Sequence, residues 1–252
     1  MSSVKMSRSF PAPLSALILG AAMIAPAPAV AETLVVRASG PSAGGFSPGK
    51  KLPDGASVTL KAGDVLTLLD GRGTRTLRGP GVFGASGSAS AGGASVASFL
   101  GTRTTSRART GAVRGPGVVT DPRSPNLWYV DVRNAATTCI ADPANVKLWR
   151  PASTVAGTLA IAGPSAKGSV AFEAGQSVAA WPADLPVTEG ATYQFSGAGL
   201  AKPVSVRFTL LPQGAEGLEG TASTLIARKC DAQLDLLIET VALPDPAPDV
   251  PG

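Results

Sequence analysis

Short apolar runs separated by glycine and proline constrain the fold of this chain more than any other feature of its sequence. The 252 residues include 30 Gly and 22 Pro, and the apolar residues before position 218 do not recur at the 3.6-residue period of a helix. The runs are short, rich in β-branched residues or alternating in polarity, and they end at Gly or Pro turns, a pattern typical of strands. The sequence therefore predicts a mainly β protein.

The first region, residues 32–133, predicts a β-rich domain that folds as a small sandwich or barrel. An Asp70-Gly71 turn signal separates two of its strands. The strand candidates are residues 33–37, 58–61, 65–69, 74–78, 112–114 and 128–132. Within this region, residues 84–111 are dominated by Gly, Ala and Ser and then by Arg. Such a stretch buries too little apolar surface to offset the entropy of ordering it, so we expect a loop.

The second region, residues 134–243, predicts an α+β domain that ends in a helical pair. Its strand candidates are residues 146–149, 158–162, 169–173, 177–181, 192–196 and 204–210. After residue 218 the period changes, because Leu218, Ala222 and Leu225 share one helical face and Leu234 and Leu237 share another. We expect this pair to pack on the sheet of its own domain. The tail, residues 244–252, is rich in proline and predicts an extended, unfolded segment.

The two regions also differ in net charge, with the change of sign at residue 134. Residues 32–133 carry 13 Lys and Arg against 6 Asp and Glu, a net of +7, whereas residues 134–252 carry 7 against 11, a net of −4. Two regions of opposite charge indicate two domains.

The first 31 residues have the pattern of a cleavable signal peptide. Lys5 and Arg8 precede a short apolar run at residues 14–24, and the small-x-small sequence at residues 29–31 is typical of a cleavage site. The apolar run is well short of the ~20 residues that span a bilayer. We therefore expect a secreted protein of the bacterial periplasm.

The two cysteines, Cys139 and Cys230, predict one structural disulfide in that oxidising compartment. A reactive thiol is the alternative, but neither cysteine belongs to a Cys-x-x-Cys motif or has a histidine that would lower its pKa.

The chain contains no histidine, which excludes the Ser-His-Asp and Cys-His mechanisms and all imidazole metal ligation. Two cysteines are also too few for a four-thiolate metal site. We therefore expect a non-enzymatic protein without cofactor or metal. Asp121 and Asp131 keep a second hypothesis open, a carboxylate-dependent hydrolase of envelope polymers. The favoured interpretation is that Asp121-Pro122 begins a turn and Asp131 faces solvent on a strand.

A cluster of arginines in the loop is the candidate binding site. Guanidinium groups form paired hydrogen bonds with phosphates and carboxylates, so this cluster would bind an anionic lipid or glycan of the envelope or a protein partner. The alternative is a solvated face that only keeps the loop soluble. Nucleic acid is not expected, because no aromatic residues alternate with the arginines. The candidate residues are Arg103, Arg107, Arg109 and Arg114.

Part of the first region resembles the FecR-type periplasmic domain. The resemblance lies in a Gly-rich lead at residues 49–55, a Gly63-Asp64 step and the Asp70-Gly71 hairpin. Residues 36–41, 78–81 and 230–233 also resemble uncharacterised exported proteins of proteobacteria. The resemblance implies a β-rich, non-enzymatic module of envelope signalling whose partner is an envelope or inner-membrane protein. Its transmembrane helix and cytoplasmic segment have no counterpart in this sequence. We expect docking through sheet edges or through the arginine-bearing loop.

Overall fold

The computed structural model describes residues 32–86, 121–212 and 217–243. The predicted signal peptide, residues 87–111 of the predicted loop, the strand candidate at residues 112–114 and the tail lie outside these ranges, so those predictions stay predictions. The loop prediction is wrong at its first residue, because Gly84 belongs to a strand. Within the described ranges the chain is mainly β, as predicted. The strands are β1 (Thr33–Ser39), β2 (Lys51–Leu52), β3 (Ser57–Leu60), β4 (Val65–Asp70), β5 (Gly73–Arg78), β6 (Gly81–Gly84), β7 (Val130–Asp131), β8 (Thr137–Ile140), β9 (Lys147–Trp149), β10 (Gly157–Ala162), β11 (Lys167–Phe172), β12 (Val178–Ala180), β13 (Thr192–Gly197) and β14 (Val204–Leu210). The helices are α1 (Gly217–Ala227) and α2 (Asp231–Thr240).

The first region folds as a small sandwich of two antiparallel sheets. One sheet has the order β2-β1-β4-β5, and the second consists of β3 and β6. Val35, Leu66 and Leu68 on the inner face of the larger sheet pack against Val58 and Leu60. Alternate side chains of a strand point to opposite faces, so the neighbours of these residues are left on the other side of the sheet.

The helical pair covers that other side. Leu34, Val36 and Leu69 lie in one buried cluster with residues of α1 and α2. The expectation that the helices pack on the sheet of the second region therefore needs correction. Because β1 and β4 are apolar on both faces, their sheet needs a second covering layer, and the apolar faces of α1 and α2 supply it.

The second region contains a larger sandwich. A five-stranded sheet of order β11-β10-β13-β14-β8 packs on a three-stranded sheet of order β12-β9-β7. Its core is aromatic: the Trp181 and Tyr193 rings meet edge to face with centroids 5.1 Å apart, and the centroids of Tyr193 and Phe208 are 4.7 Å apart. Two of its pairings, β14 with β8 and β7 with β9, are parallel.

The boundary at residue 133 does not separate the two sandwiches. Val130 and Val132, assigned by sequence to the first region, lie in the core of the second sandwich. The reason is non-local: β7 pairs with β9 in parallel, and nothing in the sequence of residues 128–132 specifies a partner.

A disulfide joins the helical layer to the second sandwich. Cys139 in β8 and Cys230, just before α2, are bonded with their Cα atoms 5.8 Å apart, and both are fully buried. The predicted structural bridge is therefore present in the structure. Among the residues described, no helix is long and apolar enough to cross a membrane.

Candidate functional site

The arginine cluster predicted from sequence cannot be placed. Arg103, Arg107, Arg109 and Arg114 all lie outside the described residues. Their role in binding an anion or a partner stays a prediction.

The two aspartates of the hydrolase hypothesis converge on one arginine. Arg133 donates from Nη1 to Asp121 (2.7 Å) and from Nη2 and Nε to Asp131 (2.8 and 3.0 Å). The hydrogen bonds with Asp131 are the largest cause that raises the pKa of Arg133 above its usual value. The guanidinium therefore lies between the two carboxylates and forms an ion pair with each.

These aspartates border a polar cleft of about 230 Å³ between the β7–β8 segment and α2. The cleft is smaller than the ~300 Å³ at which drug-sized ligand sites begin. Further ion pairs lie at its border: Arg37 Nε donates to Asp235 (2.7 Å), and Arg123 pairs with Glu239. Within residues 32–86, 121–212 and 217–243, no cluster of three or more acidic or cysteine side chains could hold a metal ion. The arrangement neutralises charge and joins α2 to its neighbours.

The Gln233 side chain covers the edge of the five-stranded sheet that β8 forms. Its Oε1 accepts the Cys139 N–H (2.6 Å), and its Nε2 donates to the carbonyls of Cys139 and Leu127 (both 3.0 Å). The amide thus pairs with the edge of β8 as a neighbouring strand would. Sequence analysis missed this role, because a single glutamine near the start of a helix gives no signal of what it covers.

Several of the other sheet edges in the described residues are short or partly covered. β2 and β7 have two residues and β12 has three, which leaves little backbone for a further strand. The edge of β5 is met by the chain after α2, where Thr74 and Ala242 form a bridge. Natural sheets commonly protect their edges in these ways.

The outer edge of β11 is regular, and no strand of residues 32–86, 121–212 or 217–243 pairs with it. Its six residues pair with β10 without a bulge, and the hairpin closes with a Gly163 N–H to Ala166 carbonyl bond (2.9 Å). In this ladder alternate residues direct their backbone groups outward. The backbone N–H and carbonyl groups that point away from β10 are therefore those of Lys167, Ser169 and Ala171. The side chains of these three residues are exposed. The strand contains no proline, and Lys167 is its only charge.

The residues that resemble the FecR-type domain act as turn residues. Asp64 accepts hydrogen bonds from the backbone N–H groups of Ser42 (2.8 Å) and Lys61 (2.5 Å). Hydrogen bonding from Ser42, first through its side chain and also through its backbone, holds the pKa of Asp64 below its usual value. Asp70 accepts from the Arg72 N–H (2.8 Å) in the β4–β5 turn. Both aspartates stabilise local structure within the first sandwich.

No family model, curated protein or solved structure matches this chain. The FecR-type resemblance therefore stays a prediction, and function has to be inferred from the structure itself.

Proposed function

We propose that this protein is exported to the periplasm, where it works without catalysis as an accessory or sensory module by docking onto an envelope protein. The open edge of β11 carries the proposal. Strand addition at such an edge gives affinity through main-chain hydrogen bonds and specificity through alternate side chains. This edge can supply the hydrogen bonds and the side-chain contacts, because outward backbone groups and exposed side chains occur together at Lys167, Ser169 and Ala171.

Two further observations support this proposal. The buried Cys139–Cys230 disulfide is compatible with an oxidising compartment. The pairing of Asp121 and Asp131 with Arg133 favours a structural role for the carboxylates that the hydrolase hypothesis would use. An inner-membrane protein that presents an extended segment is the kind of partner that fits.

A proline at position 169 tests the proposal. The Ser169 N–H points outward, so Ser169→Pro removes a donor from the open edge without removing a bond to β10. Ser169→Thr keeps the donor and is the matched control. We expect the proline variant to lose at least about tenfold of its partner affinity, because strand addition depends on edge donors. Partner binding that is equal in both folded variants would contradict docking at this edge.

The arginine-bearing loop provides the competing experiment. Replacing Arg103, Arg107 and Arg109 with Ser should leave docking at β11 unchanged. If the protein instead binds anionic vesicles or peptidoglycan with an affinity that falls steeply with salt and disappears in this variant, the anionic-polymer alternative is favoured.

A further inference from the structure

The backbone of the outer edge of β11 is complementary to a second copy of itself. Lys167, Ser169 and Ala171 direct their N–H and carbonyl groups away from β10. A two-fold axis at Ser169 would bring an antiparallel copy alongside, with Ser169 opposite Ser169 of that copy and Lys167 opposite its Ala171. Each of these pairs would exchange two backbone hydrogen bonds. This is the one two-fold register that pairs all three outward residues of both copies, and such an interface closes on itself as a dimer.

The side chains on the inner face of β11 fit the same register. Val170 is half-buried and packs against the core of the second sandwich. It would lie opposite Gly168 of the second copy, in a pair of the kind whose backbones approach most closely. Gly168 has no side chain, and Pro182 lies beneath it, because a methyl group at Gly168 would come within 3.2 Å of the Pro182 Cγ. Each Val170 would therefore pack beside a proline ring without meeting a facing side chain.

The charges beside this edge are ordered so that two antiparallel copies attract each other. Lys167 begins β11 and Glu173 follows its last residue, with neutral residues between them. Both residues are exposed, and within the described part of the chain neither forms an ion pair. In the two-fold register Lys167 would lie diagonal to Glu173 of the second copy. Diagonal neighbours are about 7 to 8 Å apart, a distance that two long side chains cover. The two-fold axis makes this contact twice.

We propose that the protein self-associates as a two-fold dimer through β11, so that the five-stranded sheet continues from one copy into the other. The dimer covers a strand edge that would otherwise accept other chains. It uses the same backbone groups as docking, so a copy within the dimer is closed to the envelope partner and the monomer is the docking form. A contact through a single strand is small, in the range below roughly 1,200 Å² that is typical of transient complexes, so a partner can displace it. Only this competition with docking rests on the proposed function.

Sedimentation velocity of the protein spanning residues 32–252, from micromolar to millimolar concentration, tests the dimer. We expect the mean mass to rise with concentration toward that of two copies. Ser169→Pro removes the donor nearest the two-fold axis from both copies, so this variant should stay monomeric. Ser169→Thr keeps the donor and should dimerise as the unchanged chain does. An unchanged chain that stays monomeric, or a dimer that persists in Ser169→Pro, would overturn the proposal.

A charge exchange tests the register independently of any folding defect that proline introduces. Lys167→Glu and Glu173→Lys each replace both attractive contacts with repulsive ones, so each should weaken the dimer by at least about fivefold. The double variant restores opposite charges in exchanged positions, and its dimer should return to within about twofold of the unchanged chain. Single variants that dimerise normally, or a double variant no tighter than the single ones, would contradict the register.

Docking has a separate readout, photocrosslinking from position 171 in intact cells. Glu173→Lys lies outside β11 and favours the monomer, so it should capture more of the envelope partner than the unchanged chain does. Equal capture by both would contradict the competition. If the chain dimerises in solution but captures no second kind of protein, docking fails and the dimer stands. If it captures a partner but stays monomeric at millimolar concentration, the dimer fails and docking stands.

Discussion

The two main sheets of this protein bury their strands differently. In the first sandwich, residues 33–36 of β1 and 66–70 of β4 are buried in unbroken succession, because one face meets β3 and β6 and the other meets the helices. In the second sandwich, β10 and β13 alternate between buried and exposed residues, because one face of their sheet meets solvent. Both faces of the first sheet are therefore covered by other parts of the protein. The second retains a free face and, at β11, a free edge, which is why we place the interaction there.

Among these variants, removing the disulfide should cause the largest loss of unfolding free energy. The bridge joins the helices that cover the first sheet to the second sandwich. Its 91-residue separation sets an upper limit of about 4 to 5 kcal/mol for the loss in unfolding free energy of Cys139→Ala/Cys230→Ala. Urea denaturation of the protein spanning residues 32–252 measures it. A loss below about 1 kcal/mol would show that the bridge adds little to the packing of α2.

Leu69→Ala should have the next largest effect. Leu69 is fully buried between its sheet and the helices, so the change should cost about 3 kcal/mol of unfolding free energy. Thr158→Ala, on the solvent face of β10, is the matched comparison and should stay within about 0.5 kcal/mol. Similar losses at both positions would contradict the distinction between a sheet covered on both faces and a sheet covered on one.

Gln233→Leu should cost about 2 kcal/mol, because it leaves the buried N–H and carbonyl of Cys139 without a partner. Thermal or urea unfolding reports the loss. Gln194→Leu makes the same substitution on the exposed face of β13 and should cost far less. If the two variants unfold alike, the amide of Gln233 is not what covers the edge of β8.

Asp64 should make the first sandwich the more acid-sensitive of the two. Because its pKa is lowered in the folded state, the carboxylate stabilises the fold above the usual aspartate pKa of about 3.9. That stabilisation is lost as the pH falls through the lowered value. Asp64→Asn should therefore be less stable at neutral pH and lose less stability on acidification. Unfolding curves recorded between neutral and acidic pH, with Asp184→Asn as control, measure this difference.

The sequence predicted most strands because their signals are local. Alternation at β10 and β13, the apolar run of β4 and the Asp70-Gly71 turn each specify an element from a few neighbouring residues. The short β2, β6 and β8 were missed, since their pairing depends on distant partners. The helical pair was found from its period, but its position on the first sheet was not, although the two-faced apolar character of β1 and β4 could have indicated it.

The candidate sites were less predictable than the fold. Asp121 and Asp131 were singled out by sequence, but their shared partner Arg133 was not, because a side-chain ion pair leaves no periodic signal. The open edge of β11 depends on which strand ends the sheet, and strand order is a property of the whole chain.

Site-specific photocrosslinking in intact cells tests the central claim most directly. A photoreactive side chain at position 169 lies on the open edge, and one at position 76 lies on the edge met by the protein's own chain. We predict that position 169 crosslinks to a second, envelope-located protein and that position 76 gives no crosslink to another protein. Absence of a partner at position 169, or the same partner captured equally from both positions, would contradict the account.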